Sequence, residues 1–137
     1  MPTDRDFGRR VRRTGQAILL VDDDAFLRRA IANTLRVKRF SVTEAASGEG
    51  ALELLEQSTP YDLVLSDLNL RGEIDGLSLA RWLAARRPDL PIILITGRMD
   101  LVPPDLTAPV LPKPFRLKQL LALIEKAIGE GESPRER

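Results

Sequence analysis

Short apolar runs recur along this chain, and amphipathic stretches separate them. AILLV fills 17–21, YDLVLSD 61–67 and LPIILIT 90–96, with a shorter APVLP at 108–112. Runs this short and this continuously apolar read as strands buried on both faces. FSVTEA at 40–45 alternates and reads as a weaker strand. Between the strands the spacing turns helical. Residues 25–37 carry Phe26, Leu27, Ala30, Ile31 and Leu35 as one apolar face. Residues 48–57 are helical before Pro60, and 75–87 form a helix stopped by Pro88. A last helix spans 115–128, with Gly129 as its cap. Strands alternating with helices define an α/β fold with a parallel sheet covered on both faces.

In such a sheet, ligands bind beyond the carboxyl ends of the strands. The first strand ends in Asp22, Asp23 and Asp24, the third in Asp67, the fourth in Thr96, and the fifth in Lys113. Two carboxylates ~4 Å apart repel by about 4 kcal/mol at an effective dielectric of ~20, so three adjacent aspartates need a reason. Helix capping accounts for one of them, and Asp24 is best placed for it. Asp22 and Asp23, joined by Asp67 from another strand, make a candidate site for a hard dication such as Mg²⁺. Asp67 is then free to accept a phosphoryl group as an acyl phosphate. Thr96 and Lys113 can bind the phosphoryl oxygens. Taken singly, Thr96 is also an ordinary β-branched strand residue and Lys113 an ordinary surface lysine. The flanking Pro112 and Pro114 stiffen the backbone and aim the lysine.

Composition narrows the chemistry. The 137 residues suit one domain. There is no cysteine and no histidine, which removes disulfides, thiol chemistry, zinc sites of the usual kind and histidine-based catalysis. The net charge of +1 gives no whole-chain argument for nucleic acid or membrane partners. No apolar run approaches the ~18 residues of a membrane span, and the N-terminus lacks a signal-peptide core. A cytoplasmic protein fits. Residues 1–15 read as a flexible basic tail or linker, 16–129 as the domain, and 130–137 as a disordered tail.

Five features occur in order: an acidic pair after an apolar strand, Asp67 ending the third strand, the Asp75-Gly76 pair beyond it, Thr96 ending the fourth, and Lys113-Pro114-Phe115. Together they resemble the receiver domain of bacterial two-component response regulators, over roughly 17–128. The resemblance implies a flavodoxin-like, doubly wound, five-stranded parallel sheet of order 2-1-3-4-5. It implies Asp67 as phosphoacceptor, with Mg²⁺ held by Asp22, Asp23, Asp67 and the backbone carbonyl of Asn69. Asp23 is then a direct ligand, and Asp22 acts partly through water. Thr96 becomes the switch hydroxyl, Lys113 the phosphate-binding lysine, and Lys113–Pro114 a cis bond. The implied partner is a histidine kinase or a histidine phosphotransfer protein; the chain, lacking histidine, cannot be that donor itself. Asn69 and Arg98, two residues beyond Asp67 and Thr96, are placed to tune the lifetime of the acyl phosphate.

Several positions depart from the family pattern. The spacing from Asp67 to Asp75-Gly76 is one residue longer than usual. Leu70 and Arg71 stand where Met and Pro are common, and Gly97 where Ala is frequent. Val110 occupies a place often held by Tyr or Phe. Pro103 and Pro104 leave room only for a shortened or irregular fourth helix. These changes leave the phosphorylation chemistry alone and bear on the output face. No effector or DNA-binding domain accompanies the receiver, so it is either a stand-alone regulator or a receiver from a hybrid kinase. The alternative from another class is a haloacid-dehalogenase-like phosphohydrolase with Asp22 as nucleophile and Asp24 as the second aspartate, although Phe26 stands where that pattern needs a hydroxyl. A third reading is a binding module that keeps the fold without the chemistry.

Overall fold

Alternation along the strands divides the core into two layers. In β1 (Ala17–Val21), Ile18 and Leu20 face one side of the sheet, Leu19 and Val21 the other, and all four are essentially inaccessible. A strand with no polar face has to lie inside a sheet covered twice. The computed structural model, which describes residues 16–57 and 60–129, places β1 there. The sheet has five parallel strands in the order β2-β1-β3-β4-β5, where β2 is Ser41–Ala45, β3 Leu63–Asp67, β4 Ile92–Thr96 and β5 Val110–Pro112. The tail assignments at 1–15 and 130–137 fall outside the described residues.

Helices α1 (Ala25–Val37) and α4 (Leu117–Ile128) cover one face, burying Ile31, Leu35, Leu120 and Ile124 against Ile18, Leu20, Leu63, Leu65, Ile93 and Ile95. Helices α2 (Gly48–Leu55) and α3 (Gly76–Arg86) cover the other, with Ala51, Leu55, Leu79 and Leu83 against Leu19, Val21, Val64 and Leu94. Burying each such Leu, Ile or Val side chain contributes about 1.5–3 kcal/mol. β2 is an edge strand, which accounts for its weaker pattern: four of its five residues keep some exposure. The apolar face of α1 is narrower than the sequence reading. Phe26 is 87% exposed, because it lies about 140° around the helix from Ile31.

Local signals start the helices. Asp24, Ser47 and Asp75 are N-caps whose side chains accept from Leu27, Gly50 and Ser78 backbone N–H groups. Gln119 accepts from the Arg116 N–H at 2.8 Å at the start of α4. Between β4 and β5 there is only a single 3-10 turn, Met99–Leu101, and then an irregular path through Pro103 and Pro104. No helix among the described residues is long and apolar enough to cross a membrane.

Candidate functional site

Strand register brings the polar strand ends together. Val21 pairs with Ser66, so the next residues, Asp22 and Asp67, emerge side by side from β1 and β3. Asp67 pairs with Ile95, and Thr96 with Pro112, which carries Thr96 and Lys113 to the same edge. Asp22, Asp23 and Asp67 each offer a carboxylate oxygen, all within 4.8 Å of one another. The Lys113 ammonium lies 3.5 Å from Asp67 Oδ1, and the Lys113–Pro114 peptide is cis.

The three carboxylates differ in surroundings. Asp22 is buried, and its Oδ1 accepts from the Asp24 N–H at 2.9 Å. Burial pushes its pKa above the ordinary value despite that bond and the Lys113 charge. Asp67 is also raised, by burial first, with Lys113 working against the shift. Asp23 goes the other way: the Arg71 backbone N–H donates to its Oδ2 at 2.9 Å and the Arg71 Nε at 3.2 Å, and they hold its pKa down. Two carboxylates whose charge burial opposes, beside a third whose charge Arg71 favours, form a donor set short of positive charge. All-oxygen ligands of this kind fit a hard dication.

Asn69 and Thr96 are joined directly. The buried Thr96 hydroxyl donates to Asn69 Oδ1 at 2.9 Å and accepts from the Arg98 backbone N–H at 2.9 Å. The Arg98 side chain is elsewhere: its guanidinium forms a bidentate pair with Asp100, at 3.0 and 2.8 Å. Asp24 is given to the α1 cap and takes no place in the cluster.

Two arginines were not singled out in the sequence. Arg28 Nη1 donates to the Asp22 carbonyl at 2.8 Å while its Nε donates to Glu44 at 3.0 Å. Glu44 also receives Arg29 and Arg36. Burial opposes its charge, but these hydrogen bonds outweigh burial and leave its pKa lowered. The backbone of Asp22 is thus braced, through Arg28, from the neighbouring strand β2. Arg71 is the other, noted only as a departure from a family pattern. Neither has a local signature, since each meets its partner across a loop or a strand.

Gly76 packs closely against the end of β3. A Cβ at this position would lie 2.2 Å from the Asp67 carbonyl oxygen and 2.8 Å from Leu68 Cα. The one-residue-longer loop of 68–75 is fastened on its far side: the Glu73 N–H donates to Glu49 Oε2 at 3.2 Å, and Gly72 turns with φ 96° beside that carboxylate.

The family model for the response regulator receiver domain matches residues 18–125, and the chain belongs to that family. The DNA-binding transcriptional regulator NtrC of Klebsiella pneumoniae is 35% identical over 127 residues, covering 85% of this chain and 26% of the regulator. This chain therefore spans about a quarter of that relative's length. The response regulator receiver protein CpdR of Brucella abortus is 39% identical over 116 residues, covering 81% of this chain and 95% of CpdR. Among solved structures, the response regulator TrrA of Thermotoga maritima, in complex with Mg²⁺-BeF, superposes with a TM-score of 0.72 at 29% identity, covering 82% of this chain and 98% of TrrA. The protein is a receiver, a signalling domain of the kind found in response regulators and hybrid kinases. The haloacid-dehalogenase alternative finds no support: its second aspartate, Asp24, is a helix cap, and Phe26 points to solvent.

Proposed function

We propose that Asp67 is the phosphoacceptor and that Asp22, Asp23, Asp67 and the Asn69 backbone carbonyl hold Mg²⁺ beside it. The observation that supports this best is the convergence, on one sheet edge, of three carboxylates and an ammonium around a side chain with no other structural task. Bound Mg²⁺ supplies charge neutralisation where phosphoryl oxygens approach the aspartates. Asp67 attacks phosphorus in line; its O–P bond forms as the P–N bond to the donor imidazole breaks. Lys113 offsets charge on the phosphoryl oxygens. Thr96 turns its hydroxyl from Asn69 towards them. The fit of the carboxylate set to Mg²⁺ agrees with the Mg²⁺-BeF complex of the TrrA relative.

The donor is a histidine kinase or a histidine phosphotransfer protein, and the receiver catalyses only its own phosphorylation and dephosphorylation. Asn69 tunes the lifetime of the acyl phosphate through its bond to Thr96, and Arg98 does so when it leaves Asp100. The cytosol is the compartment this reading assigns. Acetyl phosphate with Mg²⁺ should add one phosphoryl group by intact mass, and Asp67→Ala should add none. An adduct that persists in Asp67→Ala defeats the assignment. A wild-type chain that binds neither Mg²⁺ nor beryllofluoride would make it a module that keeps the fold without the chemistry.

A further inference from the structure

We propose that the Arg71 guanidinium is a built-in counter-cation of the acidic site, displaced from Asp23 when Mg²⁺ binds, and that it thereby sets the Mg²⁺ affinity. This deepens the reading above and rests on it.

Two contacts from Arg71 converge on one oxygen of Asp23: the backbone N–H at 2.9 Å and the side-chain Nε at 3.2 Å. They differ in how freely they can break. The backbone on either side of Arg71 is anchored. Leu70 is buried, and after Arg71 the loop is tied to α2 through Glu73 and Glu49 and through the close approach of Ile74 to Gly48. The N–H is therefore a fixed donor that orients the Asp23 carboxylate. The guanidinium has no such restraint. The Arg71 side chain is 85% exposed, against 19% for Asp23, and its only described side-chain partner is Asp23.

The charges explain why the guanidinium stays. Three carboxylates meet, and Lys113 answers the one from Asp67. Arg71 answers the one from Asp23. Arg28 cannot take this part, because its guanidinium is held between Glu44 and the Asp22 carbonyl and is largely covered. A dication arriving at Asp23 meets the same negative charge that holds Arg71. Two positive groups on one carboxylate repel, so the mobile one swings out to solvent. Metal binding then includes the loss of an exposed ion pair, and the apparent affinity falls by that pair's worth.

The test is Mg²⁺ titration by calorimetry at fixed low ionic strength, on wild type, Arg71→Ala and Arg71→Lys, with Arg81→Ala as a control that removes one exposed positive charge far from the site. Arg71→Ala should bind Mg²⁺ about two- to fivefold more tightly, the range an exposed ion pair allows. Arg71→Lys should fall between, and Arg81→Ala should match wild type. Raising the salt should narrow the difference, since it screens the Arg71 pair in the free protein. Mg²⁺ binding by Arg71→Ala with none by wild type would be the strongest support. Unchanged or weaker binding in Arg71→Ala, beside normal binding in wild type, overturns the proposal and makes Arg71 an orienting residue or a bystander. Absence of Mg²⁺ binding in every variant overturns the metal assignment itself.

Discussion

Asp67 and Asp22 carry carboxyls that the fold holds above their ordinary pKa, with burial as the main cause. A raised acid is a cost to the native state once it ionises. The native state then binds the proton more tightly than the unfolded chain, so stability falls as pH rises from the unfolded value near 3.8 towards the native one. In the absence of divalent ions, Asp67→Asn should therefore melt higher than wild type at pH 7. The two curves should converge near pH 3, and saturating Mg²⁺ should shrink the gap at pH 7. Loss of the Lys113 contact works in the opposite sense but is the smaller effect. Equal melting temperatures at pH 7 would count against a burdened site. The neighbouring aspartates should separate by role. Asp24→Ala loses the α1 cap and should cost about 1 kcal/mol in chemical denaturation with Mg²⁺ binding intact. Asp23→Ala should lose Mg²⁺ binding and phosphorylation together. The reverse pattern would exchange the two assignments.

At the scale of elements, the site depends on how closely α3 meets the end of β3. Gly76 opens α3 directly after the Asp75 cap, and a side chain there would enter the Asp67 carbonyl, which is backbone and cannot rotate aside. Gly76→Ala should destabilise the protein by about 1–3 kcal/mol or more and also slow phosphorylation by shifting Asp67. Gly97 provides the contrast. It follows β4, a Cβ there would meet nothing within 4 Å, and its φ is not positive. Gly97→Ala should be neutral or stabilise by about 0.4–1 kcal/mol, through the unfolded chain. Denaturant midpoints for the two variants decide the matter; similar losses at both positions would contradict the packing described here.

For the molecule as a whole, the open question is how a change at Asp67 becomes visible on the surface. The Thr96 hydroxyl is bonded to Asn69 and to the Arg98 N–H, so any movement of Thr96 is felt at the start of 97–107. That segment has a single 3-10 turn and two adjacent prolines in place of a helix, and its last residues, 105–107, line a cleft together with Leu77, Arg81 and Ala108. At the position from which an aromatic ring often relays the change stands Val110, which is partly buried and stiff at χ1. Activation is therefore expected to order 97–107 and alter partner docking rather than to form a dimer through β5 and α4. Hydrogen exchange with and without beryllofluoride should show its largest protection change within 97–107, with no activation-dependent dimer in size exclusion. A monomer-to-dimer shift mapped to β5 and α4, with loop exchange unchanged, would falsify this.

The sequence by itself determined the elements and the residue types at their ends. Apolar runs, prolines at 60 and 88, and the cap at Asp24 act within a few residues of one another, so their effects can be read locally. The order of Asp22, Asp67, Thr96 and Lys113 after successive strands was legible for the same reason: a parallel sheet presents every carboxyl end at one edge. The tertiary structure alone decided which partner each side chain takes. Arg71 reaches Asp23 across 48 residues, Asn69 meets Thr96 across 27, and Glu44 meets Arg28 across 16. Those pairings depend on strand register and on the path of the β3–α3 loop, which is anchored by Glu49 and Gly48. A long side chain such as arginine carries no local signal of its partner, because its reach exceeds the repeat of the element that bears it.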